Sequence, residues 1–284
     1  MEQGGEGMAL GLIVGAGTLP IDAARLLLDQ GHRLTAVAFH DITDPAFAEI
    51  VAETRWVRLG ELENMAEAMN ELGARRQLLV GKVAKGLLFE NPGVARPDAE
   101  AMRLLATEKD RADEGLMAAI VRWIEGRGFE FCDQGEMLQP LLAPHGPIGA
   151  HAPDERQLAD EAIARPIVRE LGRLGVGQCA VVKQGSVLAV EAIEGTDAMI
   201  ERAGQLGGRG ATVVKTARLG QDRRFDLPAV GPGTIEAMCA AGASGLAIES
   251  GSTLLVERDR MIELADREGI AIWGFSPDSA RDPS

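Results

Sequence analysis

The stretch GLIVGAGTLP, residues 11–20, constrains the fold more than any other part of the sequence. The apolar run Leu12–Val14 is typical of a buried strand, and Gly15 and Gly17 follow it directly. Pro20 suits the first turn of a helix, where its missing amide hydrogen would have no partner. A strand, a glycine turn and a helix in this order predict the start of a parallel α/β sheet.

The first half of the chain continues this alternation of strands and helices. Four further strands are predicted: Leu34–Phe39, Trp56–Leu59, Gln77–Val80 and Phe129–Cys132. The intervening helices are Pro20–Gln30, Glu61–Leu72, Asp98–Thr107 and Ala112–Glu125. Strands separated by helices indicate a parallel sheet with right-handed crossovers. Ligands of such sheets bind at the carboxyl ends of the strands, where we expect Gly15–Thr18, His40–Asp41 and Gly81–Lys82.

The second half differs in pattern and predicts a separate mixed domain. Residues 141–154 hold prolines and glycines without periodicity, which predicts a linker between a domain at 1–140 and one at 155–284. Residues 179–195 alternate around a QGS turn and predict a hairpin. The other predicted elements are helices Glu155–Arg173, Thr196–Ala203, Pro232–Ala241 and Asp259–Glu268, strands Ala211–Lys215, Gly245–Ile248, Thr253–Val256 and Ile270–Phe275, and an extended segment at 224–231. The fold class is therefore α/β, with a Rossmann-like N-terminal parallel-sheet domain and a C-terminal mixed α/β domain.

Composition excludes several classes of protein. The formal net charge of −14 argues against nucleic acid as a partner, because phosphate backbones require a surplus of Lys and Arg. The cysteines form no CxxC pair and the histidines form no HExxH motif, which argues against a zinc site. We find no apolar run long enough to span a membrane and no signal peptide, so we expect a cytoplasmic protein.

The glycine turn after the first strand leaves three alternatives open. A dinucleotide fingerprint places a third glycine where this chain has Pro20, although Asp41 lies where a ribose-binding acid would be expected. The turn could instead bind a nucleotide or phosphate that is not a dinucleotide, because Gly15 and Gly17 let a ligand approach the backbone. In the third alternative the turn serves the fold alone.

Acidic residues in the second half are the other candidates for a site. Glu191, Glu194 and Asp197 surround Gly195 and Thr196, where they could hold a divalent cation or where Thr196 and Asp197 could simply cap a helix. Asp226 precedes Leu227 and Pro228, and is either a turn-capping residue or a catalytic carboxylate. Lys215 and Arg224 are either phosphate-binding cations or solvated surface charges. Asp113 and Glu114 begin a predicted helix, for which the helix dipole alone is a sufficient reason.

The motifs GLIVGAGTLP, GKV, GQCAVV, VLAVEAIEGTDAM and RFDLPAVG occur in one order and spacing along nearly the whole chain. In this the sequence closely resembles the LpxI-type UDP-2,3-diacylglucosamine pyrophosphatases of bacterial lipid A synthesis. The resemblance implies an active site between two domains and magnesium-dependent cleavage of the substrate pyrophosphate to UMP and 2,3-diacylglucosamine 1-phosphate. Asp226 matches the essential aspartate of the family's DLP motif. Asp113 matches an acid of the family's GDDALL stretch, in which Glu114 replaces a second aspartate.

The resemblance leads to a hypothesis for each candidate residue. Asp226, Asp197 and Lys215 are predicted to be catalytic, and Asp226, Glu191, Glu194 and Asp113 to bind Mg²⁺, with Mn²⁺ as an alternative ion. Substrate contacts are predicted for Gly15, Ala16, Gly17, Thr18, Lys82, Gln178, Thr196 and Arg224. An apolar chamber between the domains is expected to take the acyl chains, with the helices at 112–125 and 155–173 as candidate walls.

The expected partners are UDP-2,3-diacylglucosamine, its lipid product and, transiently, the inner face of the inner membrane. The oligomeric state is left open, with a homodimer among the alternatives. Two other functions remain: a non-catalytic carrier of a lipid or nucleotide sugar, and an NAD(P)-dependent oxidoreductase. The sequence contains no tyrosine and hence no YxxxK pair, which counts against the oxidoreductase.

Overall fold

The computed structural model describes residues 9–82, 96–107, 113–207, 209–218 and 220–277. The chain divides into two compact units. The first consists of Met1–Leu138 together with the short segment Asp222–Asp226, and the second of Gln139–Gln221 and Leu227–Ser284. The segment that contains Asp226 therefore belongs to the first unit, although its neighbours in the sequence belong to the second.

The first unit is built on a five-stranded parallel sheet of order β3-β2-β1-β4-β5. Its strands are β1 (Leu10–Val14), β2 (Leu34–Phe39), β3 (Thr54–Val57), β4 (Arg76–Val80) and β5 (Glu130–Phe131). Its helices are α1 (Leu19–Asp29), α2 (Phe47–Ile50), α3 (Leu62–Leu72), α4 (Ala99–Thr107), α5 (Asp113–Glu125) and α6 (Gln134–Met137). The predicted parallel sheet is thus confirmed.

Burial explains why the central strands of this sheet read as continuous apolar runs. Every residue of β1 and β2 is buried, as expected for parallel strands covered by helices on both faces. β1 pairs with β2 on one side and β4 on the other, so that Val14 lies beside both Ala38 and Val80. This register brings the ends of the three strands to one edge, where the glycine turn begins.

The second unit contains a six-stranded mixed sheet of order β6-β13-β11-β9-β7-β8. The strands are β6 (Gly146–Ile148), β7 (Cys179–Lys183), β8 (Ser186–Val190), β9 (Thr212–Lys215), β11 (Gly245–Glu249) and β13 (Ala271–Phe275), and the short β10 (Ala229–Val230) and β12 (Leu254–Leu255) pair with each other. The helices are α7 (Glu155–Arg173), α8 (Thr196–Gly207), α9 (Pro232–Ala241) and α10 (Arg258–Glu268). β9, β11 and β13 run parallel, whereas β6, β7 and β8 are antiparallel to their neighbours. The mixed character predicted for this half is confirmed.

Two local predictions differ from the structure. The stretch 141–154, predicted as a linker, contains β6, which pairs with Ile272–Gly274 of β13. The segment predicted as extended at 224–231 instead begins with a turn, in which the amides of Phe225 and Asp226 both donate to the carbonyl of Asp222. Only Ala229–Val230 at its end is a strand. Ala112, the predicted start of α5, lies outside the described residues.

The long helix α7 is a core element of the second unit. Ala164 and Val168 are fully buried on one face, and Asp154 caps its first turn in a reciprocal capping box with Gln157. This face of α7 thus belongs to the core of the second unit. Across the described ranges, no helix combines the length and the apolar character needed to cross a membrane.

Candidate functional site

The glycine turn after β1 is held by main-chain hydrogen bonds to the end of β4. The amide of Gly15 donates to the carbonyl of Val80 at 2.8 Å, and Ala16 and Lys82 exchange two hydrogen bonds of 2.8 and 2.9 Å. A Cβ atom on Gly15 would lie 2.5 Å from the Lys82 carbonyl oxygen, so only glycine fits there. Gly17 has a φ of +94°. The turn therefore brings Lys82, which is exposed, next to Ala16.

A cleft of about 760 Å³ opens beside this turn, at the carboxyl ends of β1 and β2. Gly17 and Thr18 form one side, and the loop from His40 to Pro45 together with Trp56 of β3 forms the rest. Two of the predicted substrate-binding residues thus line a concave surface of the first unit.

In the second unit, a buried hydrogen-bond network connects Lys215, Thr196 and Glu191. The Lys215 Nζ donates to Thr196 Oγ1 at 3.1 Å and to the carbonyl of Ala229 at 3.0 Å. The Thr196 hydroxyl in turn donates to Glu191 Oε1 at 2.7 Å. Lys215 is 6% exposed and Glu191 is 7% exposed. The structure therefore brings three of the predicted site residues together, in an environment that strengthens electrostatic interactions.

Gln178 belongs to the same cluster. Its amide donates to Glu191 Oε2 at 2.9 Å, so that both oxygens of Glu191 accept a hydrogen bond. The side-chain Oε1 of Gln178 is buried without a partner in the described structure. An unsatisfied buried acceptor is unfavourable, and it marks a position where a ligand could donate a hydrogen bond.

Glu194 and Asp197 lie outside this buried network. Glu194 forms an ion pair with Arg202 at 2.5 Å, and the hydrogen bond from this guanidinium holds the pKa of the Glu194 carboxyl below its usual value. Asp197 is exposed in the first turn of α8. Of the three acids predicted to cluster here, Glu191 is the one that accepts a hydrogen bond from the Thr196 hydroxyl, among the residues that the structure describes.

Asp226 follows a tight turn that is attached to the first unit by two ion pairs. Arg223 contacts Asp133 at 2.8 Å, and Arg224 contacts Glu125 of α5 at 2.6 Å. Phe225 packs against the apolar core of the same unit. The position of Asp226 is therefore set by the residues that precede it.

Arg224 is engaged on both sides by carboxylates. It pairs with Asp222 at 2.6 Å as well as with Glu125. The hydrogen bonds between Arg224 and Asp222 lower the pKa of the Asp222 carboxyl and raise the pKa of the guanidinium. This arrangement favours a positioning role for Arg224 over the predicted contact with a substrate phosphate.

The described residues do not form a ready metal site. They include no group of three or more His, Cys, Asp or Glu side chains that could hold a metal ion. Both oxygens of Glu191 already accept hydrogen bonds, and Glu194 is paired with Arg202. Asp113 begins α5, but its side chain lies outside the described part of the chain. Glu191 and Glu194 are thus engaged with other residues, and the magnesium site stays a prediction.

Several residues that shape the site were missed in the sequence. Asp222, Glu125 and Asp133 hold the turn before Asp226, and no local motif identifies Glu125 or Asp133 because their partners lie far along the chain. The one available signal is Asp222, an acid two residues before a basic side chain in a turn.

The chain is a two-unit α/β protein, with an open cleft at a parallel-sheet edge of one unit and a buried lysine–threonine–glutamate network in the other. Comparison with known proteins narrows this class. The models of the LpxI N-terminal domain and the LpxI C-terminal domain match residues 9–141 and 144–273. The chain is also 31% identical to UDP-2,3-diacylglucosamine pyrophosphatase LpxI of Caulobacter vibrioides, over 94% of this chain and 98% of that protein. The chain belongs to the LpxI family.

Solved structures give only remote likenesses. The protein named gox2253 is 15% identical, with a TM-score of 0.31, over 94% of this chain and 77% of that one. The biotin carboxylase domain of Hydrogenobacter thermophilus 2-oxoglutarate carboxylase is 12% identical, with a TM-score of 0.26, over 72% of this chain and 37% of that one. At these TM-scores neither structure bears on the fold or the site.

Proposed function

We propose that this protein hydrolyses the pyrophosphate of UDP-2,3-diacylglucosamine to UMP and 2,3-diacylglucosamine 1-phosphate, a reaction of lipid A biosynthesis. The observation that carries the proposal is the similarity to the Caulobacter pyrophosphatase over almost the full length of both chains. In this reaction water adds to one phosphorus, the bond from that phosphorus to the bridging oxygen breaks, and the released proton passes to a base or to solvent.

The roles proposed for individual residues follow from charge and position. Asp226 is the proposed general base that orients the water, because it corresponds to the family's DLP aspartate and its turn is held in place by Arg223 and Arg224. Lys215 is the proposed cation for a substrate phosphate. Its two hydrogen bonds use two of three ammonium donors, which leaves one N–H for a ligand.

Thr196, Glu191 and Gln178 complete the proposed phosphate-side group. Glu191 accepts from Thr196 and from the Gln178 amide, and thereby fixes the hydroxyl that contacts Lys215. The side chain of Gln178 can accept a hydrogen bond from a sugar hydroxyl through its unpaired Oε1. Glu191 is in this account a positioning residue and not a metal ligand.

The magnesium requirement stays a prediction, and no step of the proposal depends on it. A divalent ion would neutralise the pyrophosphate charge when bound. Of the acids predicted to bind the ion, Glu191 and Glu194 are engaged with other residues, and the side chain of Asp113 lies outside the described residues. A chelator therefore has to be part of the first assay.

One acyl chain has a proposed site within the first unit. Apolar side chains of α3, α4 and α5, with Leu116, Met117 and Ile120 among them, enclose a cavity of about 90 Å³ over the sheet. The cavity is smaller than the roughly 150 Å³ cavities that hold a benzene molecule, so it can take only the end of a chain unless the helices separate. Helix α5 was one of the two walls predicted from the sequence.

The decisive experiment measures UMP release from UDP-2,3-diacylglucosamine, with Mg²⁺ and with EDTA. We expect release by the natural protein and a fall of at least about 10²-fold in kcat for Asp226→Ala, the range expected when a general base is lost. Asp154→Asn is the matched control. It removes an equal charge, but asparagine caps a helix as well as aspartate does, so activity and fold should be kept.

The outcomes separate the alternatives. Release that persists in EDTA would contradict the magnesium requirement and leave the hydrolysis standing. Near-normal turnover by folded Asp226→Ala would remove the proposed role of Asp226. A folded natural protein that binds the substrate and returns it intact would favour the carrier function.

A further inference from the structure

We infer that the cleft beside the first glycine turn is the binding site for the nucleoside part of the substrate, with the base stacked on the Trp56–His40 pair and the ribose hydroxyls bonded to Asp41. The inference rests on the proposed function for the identity of the nucleotide. It assigns to this cleft a ligand chemistry that is separate from phosphate binding.

The position and size of the cleft suit a nucleoside. It lies at the carboxyl edge of a parallel sheet whose strand order reverses on either side of β1, which is where ligands of open α/β sheets bind. Its volume of about 760 Å³ falls within the range of small-molecule sites. All its lining residues belong to the first unit.

The aromatic lining indicates a flat ligand. The rings of His40 and Trp56 lie 5.6 Å apart between centroids, with an angle of 35° between their planes. His40 is exposed and Trp56 is half-buried, so part of each ring faces the cleft or solvent. The other tryptophans, Trp123 and Trp273, are only 7% and 3% exposed. Aromatic rings at the wall of a cleft are suited to stacking a nucleobase.

The charges in the cleft distinguish a nucleoside from a phosphate. Asp41 and Asp44 both line it, and phosphate would be repelled by their carboxylates. Asp44 already accepts a hydrogen bond from the Ala46 amide, whereas the Asp41 carboxylate is largely exposed and lies 3.6 Å from Arg58. Carboxylate oxygens accept hydrogen bonds from vicinal hydroxyls, as acids at the equivalent edge of nucleotide-binding sheets do.

The helix that follows the turn offers few backbone amide donors to a phosphate group in the cleft. Pro20 supplies no amide hydrogen, and the amides of Ile21 and Asp22 donate to the Thr18 carbonyl. Lys82 is a cation beside the turn, since its main chain exchanges two hydrogen bonds with Ala16. A nucleotide would thus place its sugar and base in the cleft and its phosphate towards Lys82.

The loop that carries Asp41 is already formed for this role. Thr43, which is 4% exposed, donates to the Val14 carbonyl at 2.5 Å and accepts from the Phe39 amide at 3.0 Å. The His40 amide donates to the Val57 carbonyl, which fixes the loop to β3 as well. Asp41 has a φ of +63°, an unfavourable conformation for a residue other than glycine. A loop held by three strands keeps Asp41 in this strained conformation at the cleft.

The test is a calorimetric titration of the full-length protein with UMP, which binds without turnover. For Trp56→Leu we expect an affinity roughly 5- to 100-fold weaker, the range for loss of one base–aromatic stack, and for Trp56→Phe a partial recovery. Arg55→Met is the matched control on the same strand. Arg55 points to the opposite side of β3, pairs with Glu71 and should bind UMP normally when replaced.

A second pair of ligands tests the ribose contact. Asp41→Asn should weaken binding of UMP but leave binding of 2′,3′-dideoxy-UMP unchanged. The dideoxy sugar has no 2′- or 3′-hydroxyl that could donate a hydrogen bond to Asp41. Inorganic phosphate should bind the natural protein and Trp56→Leu equally. Equal loss for UMP and dideoxy-UMP in Asp41→Asn would overturn the ribose contact.

The result also separates the inference from the proposed hydrolysis. If the natural protein releases UMP from the substrate but Trp56→Leu and Trp56→Phe bind UMP as tightly as it does, the inference is overturned and the function stands. If UMP binds in a Trp56-dependent manner without hydrolysis, the nucleoside site stands and the proposed function fails. Failure of an active natural protein to bind UMP also overturns the inference.

Discussion

Each unit contains a strand, a glycine turn and a helix, and the two regions use the same elements differently. In the first unit, β1 leads through Gly15–Thr18 into α1, and the turn is held by main-chain hydrogen bonds to Val80 and Lys82. In the second unit, β8 leads through Glu191–Gly195 into α8, and the turn is held by side chains, with Glu191 bonded to Thr196 and to the Gln178 amide. One turn borders an open cleft, and the other covers a buried ammonium group.

The difference shows what each region can contribute. The first turn is held by main-chain contacts, and its neighbouring loop presents the exposed side chains of His40 and Asp41 to the cleft, which suits recognition of a nucleoside. In the second region Lys215, Thr196 and Glu191 are bonded to one another, and within the described structure one Lys215 N–H and the Gln178 Oε1 remain for a ligand. Such a group suits one well-defined charged ligand, because few donors and acceptors remain.

The largest effect is expected for Lys215→Met, which removes the cation from the second region. We expect kcat for UMP release to fall by roughly 10²- to 10³-fold, as for loss of one stabilising group in a preorganised site. Methionine has a similar length, and Thr196 can still donate to Glu191. The measurement is steady-state kinetics, with near-ultraviolet circular dichroism as the check of folding.

Lys183→Met is the control for this prediction. Lys183 lies on β7 of the same sheet and donates to the Gly207 carbonyl at 2.6 Å, so the change removes an equal charge and a comparable hydrogen bond. Its turnover should stay within about twofold. If the two variants lost activity equally, the effect would be one of stability and the special role of Lys215 would be lost.

The next prediction compares one glycine in each region, Gly15 and Gly177, at which an added Cβ atom would collide with a main-chain carbonyl. In Gly15→Ala the new Cβ would lie 2.5 Å from the Lys82 carbonyl oxygen, and in Gly177→Ala it would lie 2.2 Å from the Glu191 carbonyl oxygen. Both contacts are with main chain, so each should lower the free energy of unfolding by about 2 kcal/mol or more. Denaturant unfolding measures this, and a loss below about 0.5 kcal/mol in either variant would show that its turn shifts freely.

A smaller and nearly equal effect is expected at the two glycines that need a positive φ. Gly17 has a φ of +94° and Gly195 of +82°, and at both positions a Cβ would meet nothing within 4 Å. Alanine should therefore cost only its conformational strain, about 1 kcal/mol at each site. A much larger loss for Gly195→Ala than for Gly17→Ala would show that the side-chain network depends on the turn conformation and would sharpen the contrast between the regions.

Strand and helix patterns predicted the architecture well where the signal is local. The buried run at Leu12–Val14 and the hairpin around Gln184–Ser186 carry their structure in adjacent residues. The strand Gly146–Ile148 does not, because its partner β13 is distant in the sequence and proline and glycine mask its extended conformation. The turn at 223–225 was missed because its stability comes from Asp133 and Glu125.

The sequence predicted which residues belong to the candidate site better than it predicted which of them contact one another. Lys215, Thr196, Glu191 and Gln178 were all candidates, and the structure brings them into one hydrogen-bonded cluster. The sequence suggested that Glu194 and Asp197 would join Glu191, since all three surround Gly195. Position along a turn does not determine which way a carboxylate faces, and Arg202 pairs with Glu194 instead.

The smallest predicted effect concerns pH, and it has opposite signs in the two units. Arg224 holds the pKa of Asp222 in the first unit below 3.8, so the pair stabilises that unit above this value and the stabilisation is lost as the pH falls through the folded-state pKa. In the second unit, burial raises the pKa of Glu249 above 4.5, against hydrogen bonding by Ser252 and the charges of Arg169 and Arg165. The folded state there binds the proton more tightly, and stability falls as the pH rises from about 4.5 through the raised pKa.

Asp222→Asn and Glu249→Gln should each remove one group's contribution to the pH dependence of one unit. Relative to the natural protein, Glu249→Gln should gain stability as the pH rises above 4.5, whereas Asp222→Asn should lose its disadvantage as the pH falls below 3.8. Hydrogen exchange followed by mass spectrometry resolves β11 and the turn at 223–225 separately. If each variant changed protection in both segments, the two units would unfold together. The two regions would then not differ in stability independently, and the contrast between them would concern ligand binding alone.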